Sequence, residues 1–331
     1  MSKVMVVGGG SWGCALAQVL ADNEHRVQIY MRNEEQRREF NKSHSLPRFL
    51  PGVSFSQQIE AVADLNQYDQ MDFIVFALPT QSIRGVLEEH FSGYQGSAIF
   101  VNVAKGLELR THKRISEIFS EYIPLEQYVC LSGPTHAEEV AIHMPSTIVS
   151  SSVSEQSSER VQDLFMNSVF RVYTNSDLIG VELGGATKNV LALGLGVASG
   201  LGFGDNTMAA LMTRGMHEIV RFGTAMGGNK ETFYGLTGMG DLIVTATSQH
   251  SRNRRAGVLL GQGYSLQETT HKVNMVVEGV MTCKALYEQA QVLGVDMPIT
   301  REIYGVLYED LDVAGAVERL MEREKKRESL D

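Results

Sequence analysis

Lys188 is the only charged residue in the stretch GGATKNVLALG, residues 184–194, and no acidic residue stands four positions away on either side. On a helix its neighbours are Gly184, Gly185, Val181, Leu191, Ala192 and Leu195. The ammonium therefore sits on an apolar, small-residue face without the salt bridge that this spacing could supply. Burial in such surroundings weakens a lysine's hold on its proton and makes it a candidate general acid–base. Its aliphatic stem also permits snorkelling to water, and spacing alone does not separate the two. Asp241 and Thr245 are four apart and share a face if their segment is helical. Ser251, Arg252 and Asn253, backed by Arg254 and Arg255, form the densest positive cluster outside the tail. Guanidinium, amide and hydroxyl donors together suit a phosphate; a solvated basic loop is the alternative. Gly8, Gly10 and Gly13 fit Gly-x-Gly-x-x-Gly, directly after the apolar run KVMVV and at the start of a helical pattern. In that context the motif binds a dinucleotide pyrophosphate at a helix N-terminus.

These residues need particular elements to hold them. KVMVV, RVQIYMR, MDFIVFALP, SAIFVNVAKG, YVCLSGP, PSTIVSSS and FRVYTN read as strands, and helical patterns such as SWGCALAQVLADNEH lie between several of them. Continuous apolar strands alternating with helices predict a parallel sheet covered on both faces. Ligands of such sheets bind beyond the strands' carboxyl ends. Lys105 closes one such strand, and Gly133 and Thr135 follow another. An NAD-specific site would end the second strand on Asp or Glu; this one runs on to Arg32, which suits a 2′-phosphate or faces solvent. The cofactor is thus NADPH or NADH. After about Asp177 the spacing becomes three to four residues throughout. The expected architecture is α/β: an N-terminal Rossmann-type doubly wound sheet over 1–176, then an all-helical domain over 177–331, joined at the start of a continuous helix.

Composition narrows the class. A net charge of −10 disfavours a nucleic-acid or anionic-membrane binder. Cys14, Cys130 and Cys283 form no Cys-x-x-Cys pair, and the nine histidines show no metal-ligand spacing. Reduced thiols, no metal and a cytoplasmic location follow. No run approaches the ~20 apolar residues of a membrane helix, so no integral membrane segment is expected; a homodimer is left open.

Eight segments together, GGGSWGCALA, NVAKGLE, LSGPTHAEEVA, ELGGATKNVLALGLG, GDNTMAALMTRGMHEI, GLTGMGDLIVTATS, SRNRRAG and VVEGVMTCKA, run in order from Gly8 to about Pro298. The chain in this respect resembles bacterial NAD(P)-dependent glycerol-3-phosphate dehydrogenase. The resemblance implies reversible reduction of dihydroxyacetone phosphate to glycerol 3-phosphate, feeding phospholipid synthesis. It implies cofactor contacts from Ser11, Trp12, Arg32, Lys105, Ala137, Arg252, Val276 and Glu278, besides Gly8, Gly10 and Gly13. It implies a substrate site of Lys105, Gly133, Thr135, Asp241, Ser251, Arg252 and Asn253, with Asn189 and Thr245 in the same pocket. Lys188 would be the proton acceptor. Cys14, Thr187 and Val277 depart from the family's usual pattern without touching a proposed catalytic position.

On this reading Lys188 donates a proton to the substrate oxygen on reduction and takes it back in reverse. Lys105 supplies a neighbouring cation, Asp241 orients the ammonium, and Gly184 and Gly185 leave room for substrate. A related Rossmann-plus-helical dehydrogenase acting on a β-hydroxy acid, or an NAD(P)H-binding regulator without turnover, are the alternatives.

Overall fold

Ten strands, all but two of them in one sheet, account for the first half of the chain in the computed structural model, which describes residues 1–325, 327 and 328. They are β1 (Lys3–Val7), β2 (Arg26–Tyr30), β3 (Ser45–Leu46), β4 (Leu50–Ser54), β5 (Ile59–Val62), β6 (Phe73–Phe76), β7 (Ile99–Asn102), β8 (Tyr128–Ser132), β9 (Ser146–Ser151) and β10 (Phe170–Asn175). The large sheet runs β10-β9-β8-β7-β6-β1-β2-β5 and the small one pairs β3 with β4. β1 pairs in parallel with both β2 and β6, Val7 lying opposite Tyr30 and Phe76. Chain order reverses direction on either side of β1, which creates the crevice where open α/β sheets take their ligands. Val4, Val6 and Val7 of β1, and all four residues of β6, are buried because helices cover both faces.

The doubly wound class holds, but the sheet is mixed. β8 and β9 are antiparallel, with Leu131 opposite Ser150. Between them lies only one four-residue helix, Ala137–Val140, whereas a parallel crossover needs a helix that packs back across the sheet. β9 and β10 do have one, Glu155–Phe165, and are parallel. β5 is an edge strand that the sequence reading did not mark; it is four residues long and carries an exposed Glu60.

The chain divides into two compact units, Met1–Ala104 with Arg114–Val181, and Lys105–Lys113 with Glu182–Asp331. Among its described residues the second unit is helical. It contains most of Leu178–Gly200, then Asp205–Ala225, Lys230–Phe233, Asp241–Thr247, Arg252–Gly261, Leu266–Val273, Glu278–Leu293, Pro298–Tyr308 and Val313–Met321. A wide π turn, Leu236–Gly240, leads directly into Asp241–Thr247. Helices Leu178–Gly200 and Arg252–Gly261 touch backbone to backbone: a Cβ on Gly257 would lie 2.0 Å from the carbonyl oxygen of Leu193. No side chain fits there, and the close approach brings Asn253 beside Asn189.

Leu178–Gly200 also corrects an expectation. At 23 residues and a mean hydropathy of 1.2 it is long and apolar enough to cross a bilayer, and 89% of its apolar window is buried inside the protein. All-round apolarity of a helix is what burial in a core demands.

Candidate functional site

A single buried carboxylate organises the second unit's polar centre. Lys188 projects from Leu178–Gly200 and is 5% exposed, so it does not snorkel. Its Nζ donates to Thr245 Oγ1 at 2.6 Å and lies 3.0 Å from Asp241 Oδ1. The other oxygen of Asp241 accepts from Lys105 Nζ at 2.6 Å. Asp241 and Thr245 share a face of Asp241–Thr247, as their spacing predicts, and Thr245 Oγ1 also donates to Asp241 Oδ1 at 3.2 Å. Burial pushes the Lys188 ammonium down to about 8; Asp241 opposes this, while Lys105 and Arg252 add to it. For Asp241 burial acts upward, but the two ammonium groups outweigh it and hold the carboxyl below its usual range. The result is a lysine able to hold or release a proton near neutral pH beside a carboxylate that stays charged.

Lys105 reaches this centre from a loop three residues beyond β7, so it does not itself close the strand. Asn102, at the end of β7, bonds the backbone of Ala104 through both ends of its amide, at 3.1 Å each. This turn shapes the exit toward Lys105; its sequence signal is a polar residue ending an apolar strand. Asn189 Nδ2 donates to the Lys105 carbonyl at 3.2 Å, Asn253 Nδ2 to Asn189 Oδ1 at 2.8 Å, and Gly279 N to Asn253 Oδ1 at 2.9 Å. Asn189 and Asn253 thus hold backbone and one another in place.

Ser251 caps the helix Arg252–Gly261, accepting from Arg254 N at 3.2 Å. Arg252 is exposed at the first position of that helix and donates to the Val276 carbonyl at 3.2 Å. Glu278 opens the next helix, Glu278–Leu293. The expected free space beside Gly184 is absent, since a Cβ there would lie 3.1 Å from the Thr237 carbonyl oxygen.

In the first unit, β1 is followed by Gly8, whose φ of +123° belongs to glycine and whose Cβ would lie 2.5 Å from Ala77 O. A Cβ on Gly13 would lie 2.0 Å from Gly8 O, whereas Gly10 faces open space. Helix Ser11–Asp22 has no side-chain cap and no acid in its first turn. Its N–H groups are those an anion would take. Ser11 donates to Phe49 O at 3.3 Å, Trp12 packs on the core, and Gln36 Nε2 donates to Gly9 O at 2.5 Å. Arg32 is exposed just past β2, in front of Glu34 and Glu35. Gly133 follows β8 with Thr135 donating to its carbonyl at 3.3 Å, and Ala137 joins the core beneath.

Family models for the NAD-dependent glycerol-3-phosphate dehydrogenase N-terminus and C-terminus match residues 3–158 and 177–318. The chain belongs to the NAD-dependent glycerol-3-phosphate dehydrogenase family. It is 51% identical to glycerol-3-phosphate dehydrogenase [NAD(P)+] of Lysinibacillus sphaericus, covering 99% of this chain and 98% of the relative. It is 52% identical to the Enterococcus faecalis enzyme of the same name, over 99% and 97%. The crystal structure of glycerol-3-phosphate dehydrogenase from Coxiella burnetii superposes with a TM-score of 0.92 at 32% identity, over 97% of this chain and 99% of that one.

The residues expected to form the site fall into two groups. Gly8, Gly10, Ser11, Trp12, Gly13, Arg32, Gly133, Thr135 and Ala137 stand in the first unit, and the remaining predicted positions stand in the second. In the first group the open, uncapped helix start and the lack of an acid at the end of β2, where Tyr30 stands, fit a dinucleotide of either kind. Arg32→Ala is expected to weaken NADPH binding by no more than about five-fold and to leave NADH unchanged, because an exposed ion pair is worth ~0.2–1 kcal/mol and Glu34 and Glu35 oppose it. Fluorescence titration of both cofactors against wild type, Arg32→Ala and Arg32→Asp checks this. Equal NADPH-to-NADH ratios in all three remove Arg32 from the choice.

Proposed function

We propose that this chain catalyses the reversible NAD(P)H-dependent reduction of dihydroxyacetone phosphate to sn-glycerol 3-phosphate. The observation that carries the reading is the buried Lys188–Asp241–Lys105 cluster in a member of this family. A nicotinamide cofactor supplies or accepts the hydride. The chain's own residues handle the proton, the charge and the orientation.

Lys188, held by Asp241 and Thr245, gives its proton to the C2 oxygen as the ketone becomes an alcohol, and recovers it in the reverse direction. Asp241 fixes the ammonium and keeps it charged at neutral pH. Lys105 shares that carboxylate and adds positive charge for an anionic substrate. Ser251, Arg252 and Asn253 gather at a helix N-terminus, where backbone dipole and guanidinium both favour a phosphate; Asn253 does so while also holding Asn189. Gly133, Thr135, Asn189 and Thr245 complete the assigned substrate set. Gly8, Gly10, Ser11, Trp12, Gly13, Arg32, Ala137, Val276 and Glu278, with Lys105 and Arg252, form the assigned cofactor set. Residues 1–176 serve as the NAD(P)-binding domain and 177–331 as the substrate-binding and catalytic domain. The product feeds phospholipid synthesis in the cytoplasm, and a homodimer fits the reading.

Steady-state kinetics with dihydroxyacetone phosphate and each of NADH and NADPH, followed at the nicotinamide absorbance band, test the assignment; no turnover with either cofactor refutes it. Arg252→Ala is expected to raise KM for dihydroxyacetone phosphate steeply. A phosphate-free analogue, already poor with wild type, should lose much less. Equal losses for both substrates would remove Arg252 from the phosphate site.

A further inference from the structure

Lys105 stands at the head of a nine-residue loop, Lys105–Lys113, that clusters with the helical unit. At its tail His112 adopts a left-handed φ of +58°. That conformation is disfavoured for any residue with a side chain and persists where surrounding contacts hold it. The contacts are present. His112 N donates to Glu108 O at 2.8 Å, Glu108 N donates to Lys113 O at 3.0 Å, and Thr111 Oγ1 donates to the Glu108 carboxylate. The His112 imidazole, through Nε2, meets Glu288 Oε2 at 2.8 Å on helix Glu278–Leu293.

The same helix holds the loop's head. Its Gly279 N–H bonds Asn253, Asn253 bonds Asn189, and Asn189 bonds the Lys105 carbonyl. Backbone and hydrogen bonds therefore close a ring that runs from Lys105 along the loop to His112, across to Glu288, back along the helix to Gly279, and through two asparagines to Lys105. Lys105 itself is a long, flexible side chain, and its ammonium contact with Asp241 and this ring both help to define where it sits.

We infer that His112 and Glu288 are positioning residues that latch the loop and so place the Lys105 ammonium on Asp241. This rests on the proposed function only for its kinetic readout. Releasing the latch takes a cation away from the Lys188–Asp241 pair. Lys105 is one of the groups that lowers the Lys188 proton affinity, so its withdrawal moves the pH midpoint of reduction upward.

The test compares wild type, His112→Ala, Glu288→Ala and Glu288→Gln. The glutamine retains an acceptor for an imidazole N–H. Two readouts are taken. The first is the acetylation rate of Lys105 by an amine-reactive anhydride, quantified by mass spectrometry, which needs no turnover. Both alanine variants should label Lys105 several-fold faster than wild type, and Glu288→Gln should not. The second is the pH profile of dihydroxyacetone phosphate reduction. Both alanine variants should lower kcat about ten-fold and raise the midpoint, with melting temperatures close to wild type and glutamine restoring both. Unchanged Lys105 labelling in the alanine variants overturns the latch, and so does an unchanged midpoint in an active enzyme. Faster labelling in a protein whose wild type does not reduce dihydroxyacetone phosphate supports the latch and refutes the substrate assignment instead.

Discussion

Lys188→Ala is expected to lower kcat in both directions by at least ~10²-fold, the low end for a positioned general acid–base, while NADPH binding changes little. The side chain removed is a buried proton carrier in contact with both Asp241 and Thr245. The pH dependence has a defined sign. Reduction consumes a proton and needs the ammonium, so its rate should be level below the Lys188 midpoint of about 8 and fall above it. Oxidation needs the neutral amine and should rise through the same midpoint. Absorbance assays from pH 6 to 10 in both directions check this, and near-normal turnover of a folded Lys188→Ala protein would remove the lysine from the mechanism.

Asp241→Asn should damage stability and chemistry together. Asp241 is 1% exposed and is shared by two ammonium groups, at 2.6 and 3.0 Å. Removing one partner of a buried pair typically costs about 3–5 kcal/mol, here because two cations lose the carboxylate they share. Lys188 meets this by shedding its proton more readily, since Asp241 is what raises its affinity. The midpoint for reduction should drop below that of wild type, leaving the enzyme short of general acid at neutral pH. Urea denaturation gives the first effect and the pH profile the second. A variant with wild-type stability and midpoint would show that the carboxylate neither holds the lysines nor tunes them.

The sequence exposed some of this and hid the rest, for physical reasons. Gly8, Gly10 and Gly13 were legible because strand, turn and helix are contiguous, and Gly8 and Gly13 answer local steric demands, whereas Gly10 leaves the helix start open. Lys188 was legible as an anomaly: one cation on an apolar face. Asp241 and Thr245 were legible as a helical pair. That Lys105 meets Asp241 could not be read from spacing, because 136 residues separate them and only the assembled helices bring them together. Nor could the reversal of β9, since strand direction is set by whether the connection packs across the sheet, and β9 itself reads like its parallel neighbours. β5 was missed because an edge strand of four residues needs only one apolar face. Gly184 was misread because a glycine on a helix can mark vacant space or another backbone in contact, and the sequence is the same for both.

The division of the chain has a consequence for how the protein is made. The helical unit is discontinuous, with Lys105–Lys113 separated in the chain from Glu182 onward. During synthesis at ~5–20 residues per second, the 136 residues after Lys105 up to and including Asp241 take roughly 7–27 seconds to emerge. For that interval the nascent loop has been translated and the carboxylate that fixes its lysine has not. A fragment starting at Glu182 would carry the opposite defect at any age, because Asp241 would have Lys188 but never Lys105. The helical half therefore cannot be excised as a working module, and a split version of the chain has to deliver residues 105–113 along with it.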